Sequence, residues 1–172
     1  MPPPPRPGYE YGWNHTDTDS LLKDAMIKIL ATGAGAGYSP VMPGTVGTIW
    51  GVVAWYLAGG LSPWAQAAVT GAVILVSIYI SEEAVRLLKK DDPSEVVIDE
   101  VAGLLVAALL IPFTPKSAII VFILFRIFDI VKPYPVSSAD RSVKGGLGVV
   151  LDDLIAGIYA NILARLILWY VV

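Results

Sequence analysis

Two pairs of adjacent acidic residues lie inside apolar runs of this 172-residue chain. Asp99 and Glu100 lie within VVIDEVAGLL, and Asp152 and Asp153 lie within VVLDDLIAGI, so that an Ala-Gly follows each pair. A carboxylate that is buried without a partner costs several kcal/mol or takes up a proton instead. Four such groups at apolar positions therefore require cations, which could be two divalent metal ions, or one metal ion together with Lys and Arg side chains.

The residue types restrict both the metal and the chemistry. Oxygen ligands favour Mg²⁺, Ca²⁺ or Mn²⁺, whereas zinc prefers nitrogen and sulfur. The chain has no cysteine, and its single histidine, His15, lies in a polar N-terminal stretch. For phosphoryl transfer, a cysteine nucleophile is therefore excluded and a histidine nucleophile is not expected. A water activated by metal and held by carboxylates remains, with an aspartate nucleophile from the acidic pairs as a second option.

Three charged residues follow one another at helical spacing in FRIFDIVKPYP. Arg126, Asp129 and Lys132 are three residues apart, so they share one face of an otherwise apolar helix that must end near Pro133. Cations beside the carboxylates could clamp a phosphate around a metal, and Arg141, in the loop before the second acidic pair, could join them. The alternative is structural: the acids cap helices or form ion pairs with these same Arg and Lys side chains.

The stretch GAGAGYSPVMPGTVGT combines glycines with hydroxyl side chains just before a helix. It lacks the G-x-G-x-x-G spacing and the later acid of a dinucleotide-binding site, and it has no Walker A lysine. Exposed backbone N–H groups there could bind an anion. We predict phosphate contacts from Ser39, Gly44, Thr45 and Thr48, with a simple Pro/Gly-rich turn as the alternative.

The composition predicts an unusually apolar protein. Hydrophobic residues make up 55% and charged residues 16% of the chain, and the mean hydropathy is +0.66. A soluble domain has about 25% charged residues. The chain is therefore membrane-associated or a bundle with apolar surfaces. Its formal net charge of −3 and the absence of a basic stripe give no reason to expect nucleic acid as a partner.

The pattern of apolar runs and breakers predicts an all-α fold, a compact bundle of five to six helices with hydrophobic membrane-associated segments. No run alternates with period two, and most are too long for strands. We expect residues 1–19 to form a disordered Pro-rich tail and residues 20–172 to form a single helical domain. The predicted apolar segments after a first amphipathic helix are 46–58, 63–81, 96–111, 117–131 and 150–171.

Two of these segments approach the roughly 20 apolar residues that a membrane span needs. They are 63–81 and 150–171, and segments 46–58 and 63–81 could together form a hydrophobic hairpin that anchors the protein. For the helix that carries the first acidic pair, Asp92, Pro93 and Glu95 suggest an N-cap, the first helical position and a capping box.

That helix start would put Asp99 and Glu100 in the second turn. Gly103 would lie on their side of the helix, where its small size leaves room for a ligand or another helix. The two acidic stretches are then expected to be matching halves of one site.

The ordered set of motifs resembles the phosphatidylglycerophosphatase A family. The resemblance rests on SPVMPGTVGT, VVIDEVAGLL, FRIFDIVKPYP, the DR pair and GGLGVVLDDLIAG, and it runs from about Ala31 to the C-terminus. It implies an all-helical, Mg²⁺-dependent enzyme that removes the terminal phosphate from phosphatidylglycerophosphate on the cytoplasmic face of the bacterial membrane. Together, the residues and the resemblance predict metal ligands at Asp99, Glu100, Asp152 and Asp153, with Asp129 and Lys132 as further catalytic residues.

Two other classes of protein remain open at this stage. A small transporter or channel subunit would use intramembrane acids as an ion path, but it would need several full-length spans. A soluble metal-dependent phosphatase or phosphate-binding module would act on a water-soluble phosphoester. The sequence does not determine the oligomeric state.

Overall fold

The structure is a computed structural model that describes residues 15–90, 93–134 and 145–171. The described chain is helical, as predicted, and it contains no strand. One 3₁₀ turn, Ala36–Tyr38, follows the first helix. The described residues form six α-helices, α1 (His15–Ala31), α2 (Pro43–Ala58), α3 (Pro63–Leu88), α4 (Ile98–Ala108), α5 (Pro115–Val131) and α6 (Gly145–Val171).

Proline marks the start of three helices. Pro43, Pro63 and Pro115 are the first residues of α2, α3 and α5, where a missing N–H costs nothing. Ser62 caps α3 by accepting a hydrogen bond from the backbone of Ala65, and Thr114 caps α5 in the same way. These local signals are written in the sequence, so the starts of these helices lie close to the predicted positions.

Helix α4 is the centre of the bundle. Helices α2, α3, α5 and α6 all pack against it, and its side chains Leu104 and Leu105 are buried together with Phe125 of α5 and Ala156 of α6. The contact between α4 and α6 is close because both helices present glycine. A Cβ on Gly157 would lie 2.4 Å from the carbonyl oxygen of Gly103. A Cβ on Gly103 would in turn lie 2.7 Å from the Phe125 ring of α5 and 2.9 Å from Asp153 Cβ of α6. Gly103 therefore makes room for other helices, one of its two predicted roles.

The C-terminal end of α4 is closed by α6. Asn161 Nδ2 donates hydrogen bonds to the carbonyl oxygens of Ala107 at 2.8 Å and Leu109 at 3.0 Å, and Arg165 Nη2 also donates to Leu109 O at 2.7 Å. These bonds satisfy carbonyl groups that the last turn of a helix leaves without partners. Helix α4 is thus held at its far end, while its N-terminal end stays open to form a site.

The structure corrects the predicted start of α4. The helix begins at Ile98, with Val97 as its N-cap residue, and Pro93 lies in the segment before it. Glu95 does not complete a capping box, because its carboxylate pairs with Lys90. The cap predicted at Asp92 lies outside the described residues. Asp99 and Glu100 consequently lie in the first turn, not the second.

One other helix boundary and one packing relationship differ from expectation. Helix α1 begins at His15, five residues before the predicted start at Ser20. Helices α2 and α3 are consecutive, but neither packs mainly on the other; both pack against α4 instead of forming an isolated hairpin. The period of the apolar residues indicates that α2 and α3 are helices, but it contains no information on which helix lies between them.

Much of the outer surface of the bundle is apolar. Large side chains on several helices are exposed, among them Leu75 at 70%, Ile119 at 60% and Trp64 at 87%. Two helices, Pro63–Leu88 and Gly145–Tyr170, are long and apolar enough to cross a membrane by length and composition. In the most apolar 18-residue stretch of each helix, only 22% and 44% of the residues, respectively, are buried inside the protein. Because single exposed apolar residues are common but continuous apolar faces are not, this exterior suits a lipid environment.

Candidate active site

A cavity of about 300 Å³ opens at the end of the bundle where α4 begins. The start of α2, the segment before α4, the end of α5 and the third turn of α6 form its walls. The charged residues in these walls are Asp99, Glu100, Arg126, Asp129, Lys132, Asp152 and Asp153. Every acid of the two predicted pairs is among them, so the two stretches line one cavity.

Three carboxylates converge in this cavity. Asp99, Glu100 and Asp153 each offer an oxygen, and these oxygens lie within 4.8 Å of one another. The first two come from the first turn of α4, and the third comes from α6, which the glycine contact holds close. Asp99 is 9% and Asp153 is 3% exposed. Among the residues that the structure describes, no ion pair reaches any of the three.

The buried acids leave oxygen atoms without partners. Asp99 Oδ1 and Glu100 Oε2 are buried and have no hydrogen-bond partner within the described part of the chain. Burial raises the pKa of Asp99 well above its usual value, and the neighbouring charges of Glu100 and Asp152 raise it further. Burial also raises the pKa of Glu100. A divalent cation would satisfy these oxygens and remove the repulsion, so the donor set fits an ion that prefers oxygen ligands.

Asp152 differs from the other three predicted ligands. Its Oδ2 atom lies 2.5 Å from Lys132 Nζ, and its Oδ1 atom accepts a hydrogen bond from the backbone N–H of Asp153. Lys132 is the C-cap residue directly after α5. Its positive φ of 44° turns the chain away from the axis of α5, and its side chain reaches α6. The pairing that we considered as the structural alternative therefore describes Asp152, whereas the cluster of three acids has no such partner among the described residues.

Arg126 and Asp129 form the predicted pair along one helix face. Arg126 Nη1 lies 2.6 Å from Asp129 Oδ2 and 3.4 Å from Thr48 Oγ1. Thr48 is fully buried and donates its own hydroxyl hydrogen to Gly44 O at 2.7 Å. Arg126 Nε has no hydrogen-bond partner among residues 15–90, 93–134 and 145–171. The arginine is thus fixed at the cavity wall with donor capacity left over for an anion.

Gly44 is needed because the Glu100 carboxylate lies against its backbone. A Cβ at this position would lie 2.2 Å from Glu100 Oε1 and 3.2 Å from Arg126 Nη1. Any larger residue would push the carboxylate or the guanidinium out of position. The sequence predicted Gly44 as a phosphate contact, and the structure gives it a packing role at the cavity wall as well.

Three predicted phosphate contacts, Ser39, Thr45 and Thr48, do not line the cavity. Ser39 Oγ donates to Val41 O away from the lining, and Thr45 Oγ1 is buried without a partner but also away from it. Gly33 and Gly35 have positive φ in the tight turn after α1, and Gly37 packs against the backbone of Glu95. Arg141 lies outside the described residues.

The sequence did not predict that Pro93 and Ser94 line the cavity. The Pro-Ser-Glu pattern suggested a helix start, which would have placed Ser94 in the first turn of α4. Because α4 starts at Ile98, residues 93–97 precede the helix, with a turn at Ser94 and Glu95, and contribute to the cavity wall. The αL conformation of Met42, with φ 49°, similarly brings the start of α2 to the opening.

A known protein family matches most of the chain. A family model described as Phosphatidylglycerophosphatase A matches residues 29–168. A Bacteroides thetaiotaomicron protein named "Putative phosphatidylinositol-3-phosphatase" is 36% identical over 150 residues, which cover 83% of this chain and 94% of that protein.

Two relatives carry the family's own name. Phosphatidylglycerophosphatase A of Escherichia coli K12 is 33% identical over 132 residues, 76% of each chain. The protein of that name from Haemophilus influenzae is 32% identical over 155 residues, 86% of this chain and 93% of the relative. No solved structure matches the chain. Since the family model spans all the cavity-lining residues and most of the sequence, the chain belongs to the phosphatidylglycerophosphatase A family.

Proposed function

We propose that this protein is a Mg²⁺-dependent lipid phosphatase that hydrolyses phosphatidylglycerophosphate to phosphatidylglycerol and phosphate. One observation carries the proposal: three buried carboxylates with oxygens within 4.8 Å of one another share a cavity with Arg126 and Lys132. Family membership and the names of two relatives support the lipid substrate. We take residues 20–172 as a single phosphatase domain.

In this proposal Asp99, Glu100 and Asp153 hold the ion. When bound, the ion supplies a Lewis acid for the phosphoryl oxygens and lowers the pKa of an attacking water. Arg126 and Lys132 contact the remaining phosphate oxygens and stabilise the charge that develops on them. Asp129 and Asp152 hold these two cations in position through the ion pairs described above.

The apolar exterior suits a substrate that is presented at a bilayer surface. Two helices have the length and composition of membrane spans, and the cavity lies at one end of the bundle, where a lipid phosphate could enter. We propose the bacterial cytoplasmic membrane as the location, with the cavity on the cytoplasmic side. Arg86, Lys89 and Lys90 follow the apolar part of α3 and agree with the positive-inside tendency.

The test is phosphate release from phosphatidylglycerophosphate by the purified protein in detergent, with Mg²⁺ or with excess EDTA. We expect release that requires Mg²⁺ and that Asp99→Asn abolishes. Glu83→Gln is the matched control, because Glu83 pairs with Lys23 and Arg86 on the surface and does not line the cavity. Full activity in EDTA would contradict the metal requirement. The absence of phosphate release under every condition would contradict the proposed phosphatase function.

A second candidate substrate follows from the Bacteroides relative, whose name gives phosphatidylinositol 3-phosphate as its substrate. The same cavity could accept that phosphomonoester, since the chemistry at phosphorus is shared. The assay should therefore compare both lipids with a water-soluble phosphoester at equal phosphate concentration. Higher kcat/KM on the soluble ester than on either lipid would favour a soluble phosphatase instead.

A further inference from the structure

An apolar groove of about 380 Å³ runs between α5 and α6 on the outside of the bundle. Its lining includes Phe128, Pro133, Tyr134, Tyr159, Ile162 and Leu166. The rings of Phe128 and Tyr159 contact each other, with centroids 5.7 Å apart. Tyr159 Oη donates a hydrogen bond to Tyr134 O at 3.2 Å, which closes the upper end of the groove with a polar contact. Below this contact, the lining side chains are apolar.

The head of the groove adjoins the candidate active site. Pro133 follows Lys132, which lines the cavity and pairs with Asp152. Tyr159 lies seven residues after Asp152, so it is on the same face of α6 two turns further along. The lining residues of the cavity and of the groove are therefore neighbours along both α5 and α6.

The dimensions and the rim of the groove suit a lipid chain. From Tyr159 to Leu166 the groove runs along α6 for roughly 10 Å, two turns of helix. That is about two thirds of the ~15 Å hydrocarbon depth of one leaflet. Lys132 is 31% exposed at the rim, and Tyr134 beside it is 81% exposed. A cation and an amphipathic ring are the side chains expected at the level of lipid head groups.

A second apolar groove, of about 410 Å³, lies on the other side of α5 and provides an internal comparison. Its lining includes Ile49 and Val52 of α2 and Ile119 and Ile123 of α5. The residue above it is Arg126, whose side chain is only 14% exposed and is held by Asp129 and Thr48. Among the described residues, the cation at the cavity end of this groove is therefore nearly buried, in contrast to Lys132 beside the first groove.

We propose that the groove between α5 and α6 binds one acyl chain of the lipid substrate, with Lys132 facing the polar part of the molecule between the chain and the reacting phosphate. The inference rests on the proposed lipid phosphatase function and adds a binding subsite to it. The chain enters at Pro133, passes the pair of aromatic rings and ends near Leu166.

The experiment measures kcat and KM in detergent for two forms of phosphatidylglycerophosphate, one with dioleoyl chains and one with short, water-soluble dihexanoyl chains. Leu166→Trp fills the lower groove. We expect it to raise KM for the dioleoyl lipid about tenfold, to leave kcat unchanged and to have little effect on the dihexanoyl lipid. Leu166→Ala, which removes contact area without adding bulk, should raise the same KM several-fold and serves if the Trp variant does not fold.

Ile119→Trp is the matched control, because it makes the same kind of change at a similarly exposed position in the other groove. We expect it to change neither KM. Unchanged KM values for both Leu166 variants, or a larger change from Ile119→Trp, would overturn the proposal while wild-type turnover upholds the phosphatase function. If the wild-type protein hydrolyses neither lipid, the result contradicts the proposed phosphatase function and, with it, the acyl-chain subsite.

Discussion

Lys132 Nζ lies 2.5 Å from Asp152 Oδ2, so an ion pair joins the end of α5 to α6 at the residue directly before Asp153. The pair fixes a cation beside the three clustered carboxylates, with the lysine side chain 31% and the aspartate side chain 10% exposed. An ion pair in this position can hold two helices together, orient a cation for phosphate, or do both. Activity and stability measured together separate these roles.

Lys132→Met is expected to lower turnover roughly 10²-fold, as the loss of one charge-stabilising group does in other active sites. Lys132→Arg should keep part of the rate because the positive charge remains. The measurements are kcat and the unfolding temperature of each variant in detergent. A large loss of stability with normal specific activity in the folded fraction would instead assign Lys132 to the ion pair alone.

Neutral replacements in the cluster should separate function from stability. Asp99→Asn, Glu100→Gln and Asp153→Asn remove an ion ligand, and we expect each to reduce turnover by about 10² or more. The same changes relieve buried like charges, so in EDTA the unfolding temperature should rise by roughly 2–4 °C, equivalent to ~1 kcal/mol in a chain of this size. Near-wild-type rates in all three variants would show that the acids are structural.

The metal-free protein should lose stability as the pH rises. Burial holds the pKa of Asp99 and of Glu100 above the values of about 3.9 and 4.3 that they have in an unfolded chain. Between the unfolded and the raised folded pKa values, the folded protein binds more protons, so stability is highest at low pH and declines through this window.

Unfolding temperatures measured in EDTA from about pH 5 to about pH 8 check this expectation. With saturating Mg²⁺ the decline should vanish, because the ion binds the deprotonated carboxylates. A metal-free protein that becomes more stable over the same range would contradict the burial of these charges.

Gly157→Ala should disrupt the site although residue 157 does not line it. The added Cβ would lie 2.4 Å from Gly103 O, closer than a real contact allows, so α4 and α6 must separate and Asp99 must move away from Asp153. We expect a loss of about 1–3 kcal/mol in stability and a large loss of turnover.

Gly71→Ala is the control for Gly157→Ala. Nothing lies within 4 Å of a Cβ at residue 71, and Ala should stabilise α3 by up to ~1 kcal/mol. Equal behaviour of the two variants would contradict the close packing.

The protein should sediment with membranes and need detergent for extraction. Leu75 and Val76 are exposed on α3, one of the two candidate spans, and Asp at either position would put a charge in hydrocarbon. We expect both Asp variants to reduce the membrane-bound fraction and to lower activity on vesicles more than on detergent-dispersed lipid. A wild-type protein that is soluble and monodisperse without detergent would contradict a membrane location.

The sequence alone determined the class of fold and the residue types of the site. Helical periodicity, proline at helix starts and the lack of alternating patterns are local properties, so the six helices lie near their predicted positions. Burying a carboxylate without a cation or a hydrogen-bond partner destabilises the fold. This free-energy cost alone identifies Asp99, Glu100, Asp152 and Asp153 as candidate site residues. The i,i+3 spacing of Arg126 and Asp129 likewise predicted their pair.

The tertiary structure alone decided which acids face one another. Asp152 and Asp153 are adjacent and chemically identical in the sequence, but they point to different partners: the first to Lys132 at the end of α5, the second to Asp99 and Glu100 on α4. That difference depends on the rotation of α6, which the glycine contact at Gly103 and Gly157 sets. The start of α4 at Ile98 is also a tertiary result, because Val97 N bonds to Ala31 O of α1 in place of a local cap. Contacts between distant segments, which local patterns do not encode, therefore turned four predicted acids into a cluster of three and one ion pair.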